Sequence, residues 1–155
     1  MSSISMSSIE SESESRTSGT RAVDWGRNAL VGLGTVVVAV LANVLVWAIG
    51  SVLVGYDPRF LPLVGPGGAI IFTVVPAVVA VLLYALLLRF TASPARVFTI
   101  LAGVVLVLSL IPDVTYIPTV PGATAGQTAI LMVMHVVAAV VIVGMLTRLT
   151  RLGSR

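Results

Sequence analysis

The chain has 155 residues, of which 57% are hydrophobic and only 10% are charged, and its formal net charge is +3. Soluble domains carry about 25% charged residues, so this composition excludes an ordinary water-soluble protein and favours one small membrane domain. Cysteine and lysine are absent, which excludes disulfides, thiolate metal sites, cysteine nucleophiles and lysine Schiff bases. We expect no nucleic-acid partner, because the arginines flank apolar segments and membrane orientation explains them.

The first 28 residues are polar and rich in serine and glutamate. They offer too little apolar surface to offset the entropy of ordering, so we predict a disordered cytoplasmic tail over residues 1–28. An apolar run follows from Ala29 to about Gly50. Because its apolar core exceeds the ~7–15 residues of a signal peptide, it is predicted to be a retained membrane span.

Three further apolar runs predict spans at about residues 67–88, 97–113 and 128–147, before a basic tail at 148–155. A helix needs ~20 residues to cross the hydrocarbon, so the third run is short unless it continues through Pro112, which would bury Asp113. Hydrocarbon offers no partner for a free backbone group, so these runs are predicted to be helical despite their many β-branched residues. The predicted fold class is an all-α, four-helix transmembrane bundle.

The arginines are distributed unevenly around the four predicted spans. Eight of the nine lie in the terminal tails and in the link between the second and third spans: Arg16, Arg21, Arg27, Arg89, Arg96, Arg148, Arg151 and Arg155. The opposite side carries only Arg59, two residues after Asp57. By the positive-inside rule, we predict cytoplasmic N- and C-termini in a multi-pass protein of the prokaryotic plasma membrane.

The loop after the first span, residues 51–66, is unusually hydrophobic for a loop. Its three prolines, Pro58, Pro62 and Pro66, exclude a regular helix. The loop is predicted either to lie anchored in the membrane interface or to fold over the mouth of the bundle as a lid.

Each predicted span carries one polar side chain in its outer half: Asn43, Thr73, Ser109 and His135, with Asp113 above them. A titratable group inside a span is costly, so His135 marks a functional-site hypothesis. Asn43, Thr73, Ser109, His135 and Asp113 are the candidate ligand-binding residues under this hypothesis. Pro76, within the second span, is expected to kink that helix beside His135.

Three alternatives stay open for this polar layer. The side chains could serve only as hydrogen-bonded contacts between helices, each contributing about 0.6–2 kcal/mol. A proton relay through His135 and Asp113 is chemically reasonable, since histidine titrates near neutral pH. A haem or metal site is disfavoured, because one histidine supplies a single ligand. We therefore predict no metal and no cofactor.

Three motifs in residues 68–148 carry a family resemblance. They are Arg96-Val97-Phe98 at the start of the third span, Leu108-Ser109-Leu110-Ile111-Pro112-Asp113 at its end, and Met134-His135-Val136-Val137-Ala138-Ala139 followed by Leu146-Thr147-Arg148. This part of the chain resembles the four-span membrane family of actinobacteria and haloarchaea known as domain of unknown function 6069. The resemblance implies a four-helix integral membrane protein and brings no activity, cofactor or site residue with it.

No catalytic or nucleotide-binding motif is present in the sequence, so we do not expect an enzyme. The favoured hypothesis is a small structural or accessory membrane protein that forms a homo-oligomer or has a membrane partner. The alternative is binding or transport of a small molecule or lipid headgroup through the polar layer centred on His135.

The predicted topology is testable because the chain contains no native cysteine. A cysteine introduced at Tyr56 or Thr119 should react with a membrane-impermeant thiol reagent in whole cells, since both positions lie in predicted external loops. A cysteine at Ser93, in the predicted internal link, should react only after the cells are permeabilised. The reverse labelling pattern would overturn the orientation.

Overall fold

In the computed structural model, which describes residues 25–150, the protein is built from four α-helices. They are α1 (Trp25–Leu53), α2 (Pro66–Phe90), α3 (Pro94–Thr115) and α4 (Ala125–Leu149), with one 3-10 turn at Ile117–Thr119. Each helix is long and apolar enough to cross a membrane, and residues 25–150 contain no strand. The predicted all-α, four-span membrane fold is confirmed. The tails predicted at the two ends lie largely outside the described residues.

The helices extend beyond the apolar runs that predicted them. Helix α1 begins at Trp25, four residues before the predicted start at Ala29. Helix α3 continues through Pro112 to Thr115. Pro112 removes one backbone donor, but it lies in the final turns of α3, where the loss of one helical hydrogen bond is tolerated. This continuation places Asp113 inside the helix, where it is only 4% exposed.

The four helices do not pack equally against one another. Helix α1 packs along both α2 and α4, whereas α3 packs mainly against α4. Helices α2 and α3 are consecutive and joined by a short link at residues 91–93, yet they contact each other little. The bundle is therefore open along one side, between α2 and α3.

One end of the bundle gathers the start of α1 and the ends of α2 and α4. The guanidinium of Arg27 donates a hydrogen bond to the Leu149 carbonyl at 3.1 Å. The hydroxyls of Tyr84 and Thr150 lie 3.0 Å apart, and the Tyr84 ring meets the Phe98 ring edge-on, with centroids 5.0 Å apart. Both ends of the described chain thus lie at the same end of the bundle. That this end faces the cytoplasm stays a prediction.

The opposite end is covered by the cap loop, residues 54–65. Phe60 and Leu63 of this loop are fully buried. The Trp47 indole nitrogen donates to the Leu63 carbonyl at 3.0 Å, and the Tyr56 hydroxyl donates to the Trp47 carbonyl at 2.8 Å. Of the two arrangements predicted for this loop, the structure has the one in which it folds over the end of the bundle.

An ion pair orders the exposed part of the cap loop. The Arg59 side chain donates to both carboxylate oxygens of Asp57, at 3.1 and 3.0 Å. These hydrogen bonds lower the pKa of the Asp57 carboxyl. Any stabilisation from the pair is therefore present above the unfolded-state pKa and is lost as the pH falls through the lowered folded-state pKa. Gly122, with φ of +82°, lies in the loop between α3 and α4 and packs against both residues, which brings this loop against the cap loop.

The packing of the cap loop against α2 leaves no space for a side chain at Gly68, in the first turn of α2. A Cβ atom on Gly68 would overlap the backbone carbonyl oxygen of Pro62. Gly68→Ala should therefore lower the free energy of unfolding in detergent by about 1–3 kcal/mol, the usual cost of overpacking. Gly67→Ala is the matched control, because its Cβ would meet nothing within 4 Å. Equal stability of the two variants would show that the cap loop does not pack as described.

Candidate ligand-binding site

A cavity of about 500 Å³ lies between α2 and α3. Helices α1 and α4 form its back wall, which carries Asn43 and His135. The rest of the lining is mainly apolar and includes Phe72, Val79, Leu101, Val105, Met134 and Ile142. The cavity exists because α2 and α3 each pack against another helix rather than against each other.

The cavity is closed along the bundle axis and open sideways. Pro62 of the cap loop lines it at one end, and Phe98, held by its edge contact with Tyr84, lines it at the other. Phe72 on α2 and Val105 on α3 line the cavity but are 73% and 62% exposed, respectively. Because both residues lie within membrane-spanning helices, the opening faces the region of the lipid chains.

The wall of the cavity contains a break in the α2 hydrogen-bond ladder. Pro76 has no N–H, so the Phe72 carbonyl lacks the donor that a regular helix would supply four residues later. Pro76, Phe72 and His135 all line the cavity. The proline predicted to disturb α2 beside His135 therefore lies at the site itself.

The polar pair between α1 and α2 consists of Asn43 and Thr73. The Thr73 hydroxyl donates to the Ala69 carbonyl at 2.6 Å, so its oxygen accepts the hydrogen bond from Asn43 Nδ2 at 2.8 Å. This chain of bonds fixes the orientation of the Asn43 amide. Asn43 is 3% exposed, and its Oδ1 has no hydrogen-bond partner within residues 25–150.

The polar pair between α3 and α4 consists of Asp113 and His135. His135 Nδ1 lies 2.9 Å from the Leu131 carbonyl oxygen and 3.1 Å from Asp113 Oδ2. Only the carbonyl has the geometry of a hydrogen bond, and Oδ2 is buried without one in the described residues. A carbonyl can only accept, so Nδ1 carries a proton and donates it to Leu131. In the neutral ring, Nε2 is then an acceptor.

Residues 23–152 match the model of a family of unknown function, DUF6069. The chain belongs to this family. The resemblance carried by the motifs of residues 68–148 is thus confirmed over most of the chain. No curated protein and no solved structure gives a significant match. Membership in DUF6069 brings no biochemical activity with it, so the site must be judged from its geometry.

In this DUF6069 protein, four of the five predicted site residues line one cavity: Asn43, Thr73, Ser109 and His135. Asp113 does not line the cavity but lies against the His135 ring. The Ser109 hydroxyl donates to the Leu106 carbonyl of its own helix at 2.7 Å. The layer therefore consists of two separate pairs plus Ser109, not of one connected network. That these residues bind a ligand stays a prediction.

Two features of the structure, one at the site and one at the start of α4, were not predicted from the sequence. The apolar part of the cavity was missed because it depends on which helices pack together, and hydropathy does not report this. Gln127 was also passed over, although it is fully buried and its Nε2 has no partner within residues 25–150. The spacing of Thr124 and Gln127 was an available signal, since the two form a capping box at the start of α4.

Removal of one partner of the Asp113–His135 pair provides a stability test. His135→Leu removes the imidazole that lies 3.1 Å from the buried Asp113 Oδ2, so the free energy of unfolding in detergent should fall by about 1–3 kcal/mol. The double variant His135→Leu/Asp113→Leu should recover most of this loss, because it removes both buried polar groups. Val133→Leu, at an exposed position on α4, is the control. A single variant as stable as the parent protein would contradict a structural role for the pair.

Proposed function

We propose that this membrane protein binds one lipid-like molecule in the cavity between α2 and α3. The observation that supports the proposal is an apolar cavity that opens toward the lipid and ends at a layer of polar side chains. Its volume of about 500 Å³ falls within the ~300–1,000 Å³ of typical ligand sites. Such sites combine a mainly apolar lining with a few placed polar groups, and this cavity has the same composition.

The positions of the polar residues give the ligand an orientation. Asn43, Thr73, Ser109 and His135 lie in the half of the bundle nearer the cap loop, whereas Phe98 lies at the opposite end of the cavity. The polar group of the ligand would therefore lie toward the cap loop, with its apolar chain running toward Phe98. With the orientation and location predicted from the arginines, the polar group lies toward the outer face of the plasma membrane.

An accessory role, as a homo-oligomer or with a membrane partner, is our second proposal. Helix α3 supports it, because α3 packs mainly against α4 and leaves a broad apolar surface exposed. Exposed apolar side chains are normal in a lipid environment, so this surface is weaker support than the enclosed cavity. Lipid binding is therefore the function that the geometry supports best.

Photolabelling tests the proposed binding site. A diazirine-bearing hexadecane, incorporated into nanodiscs with the full-length protein, should label α2 and α3 at cavity-lining positions. Ala102→Phe or Ala139→Phe would fill the cavity, since both alanines line it, and should strongly reduce this labelling. Val104→Phe is the matched control, because Val104 is 52% exposed on α3 and does not line the cavity.

The labelling pattern decides between specific and general contact with lipid. Saturable labelling that is lost in the filled variants and kept in the control supports the proposed site. Labelling spread evenly over the exposed faces of all four helices, and unchanged by Ala102→Phe, would show that the cavity holds no preferred ligand.

A further inference from the structure

Most hydrogen-bond donors at the polar end of the cavity are already used within the protein. The Thr73 and Ser109 hydroxyls donate to carbonyls of their own helices, and the Asn43 amide nitrogen donates to Thr73. His135 Nδ1 donates to the Leu131 carbonyl. Apart from the second N–H of the Asn43 amide, the donors of these four side chains are thus directed to the protein and not to a ligand.

Hydrogen-bond acceptors without a donor, in contrast, remain at the polar end of the cavity. Asn43 Oδ1 is buried and accepts no hydrogen bond within residues 25–150. His135 lines the cavity with its side chain 38% exposed, and the neutral ring with its proton on Nδ1 has an acceptor at Nε2. The Phe72 carbonyl lacks its regular helical donor because residue 76 is proline. A buried acceptor without a donor is costly, so Asn43 Oδ1 favours a ligand that donates, and the other two acceptors can accept from the same kind of ligand.

We propose that the bound molecule carries an uncharged hydroxyl at its polar end, as a long-chain alcohol or a monoacylglycerol does. This inference rests on the proposed lipid-binding function and specifies the ligand of that site. His135 Nε2 is the first acceptor for the hydroxyl, because its side chain is the more exposed. Asn43 Oδ1 is the second, and a small side-chain shift is needed to reach it because that oxygen is buried.

Charged headgroups fit the site less well than a hydroxyl. A carboxylate would direct its oxygens at acceptors and would find no arginine among the residues that line the cavity. An ammonium would match the acceptors, but the one nearby carboxyl, on Asp113, does not line the cavity. Without a direct counter-ion, a charge at this depth in the membrane is costly.

Competition against the photoreactive hexadecane measures the preference for a hydroxyl. The competitors are hexadecanol and its methyl ether, which keeps the oxygen but has no donor, each at the same mole fraction in the nanodisc. Hexadecanol should compete about two- to tenfold more effectively than the ether, the factor expected for a net hydrogen bond. Hexadecanoic acid and hexadecylamine at the same mole fraction complete the series.

The double variant His135→Phe/Asp113→Leu tests which side chain carries the preference. It keeps a ring at position 135 and leaves no buried carboxyl unpaired, so the fold should persist. Hexadecane labelling of the cavity should remain, while the advantage of hexadecanol over the ether should fall toward onefold. Val140→Phe, on the exposed face of α4 and away from the cavity, should leave the advantage unchanged.

The outcomes separate the two proposals. Loss of all specific labelling in the parent protein would refute lipid binding itself. Specific labelling with equal competition by alcohol and ether would refute the hydroxyl inference and leave lipid binding in place. Stronger competition by the acid or by the amine than by the alcohol would also overturn the hydroxyl inference, because it would show that the polar end selects a charge.

Discussion

Hydrocarbon offers no hydrogen-bond partners, so polar groups in the membrane spans require partners within the protein, and this requirement shapes the whole bundle. The backbone meets it by forming four helices in spite of a β-branched composition. Most hydroxyls in the helices meet it locally, by donating to carbonyls three or four residues earlier in the same helix. The residues that do so include Thr35, Thr73, Thr99, Ser109 and Thr147.

Two pairs of polar side chains lie between neighbouring helices. Asn43 and Thr73 link α1 to α2, and Asp113 and His135 link α3 to α4. Close packing of α1 against α4 joins the two halves. Small residues allow this approach in α1, where a Cβ atom on Gly50 would lie only 3.0 Å from the Ile130 side chain of α4.

This pairing leaves α2 and α3 without a strong contact, and the cavity is the result. Three members of the polar pairs, Asn43, Thr73 and His135, line the cavity, and Asp113 lies against the His135 ring. The same contacts that assemble the bundle therefore also form the polar end of the candidate site. A role of these side chains in helix association is therefore compatible with the proposed ligand binding.

Hydropathy and the positions of the arginines were sufficient to predict the four helices. The length of α3 was left open, because a proline near a helix end can either terminate the helix or be accommodated, and Pro112 is accommodated. The polar side chains Asn43, Thr73, Ser109 and His135 were predicted at similar depth, and the structure places them around one cavity. The depth of each side chain could be predicted because every helical residue advances the chain by about 1.5 Å along the span.

Which of these polar side chains contact one another does not follow from their depth in the membrane. His135 lies against Asp113 of α3 rather than against Asn43 of α1, although α4 packs along both of these helices. The buried positions of Phe60 and Leu63 in the cap loop were also not predictable in detail. They depend on the close contact of Gly68 with Pro62, which becomes visible only when the loop and α2 are placed together.

The central claim is that each chain offers one defined site to a membrane-soluble ligand. Native mass spectrometry of the protein titrated with hexadecanol tests it directly through the binding stoichiometry. The account predicts saturation at one molecule per chain, with no saturable binding in Ala139→Phe. Continuous uptake of many molecules per chain, identical in the parent protein and in Ala139→Phe, would contradict it.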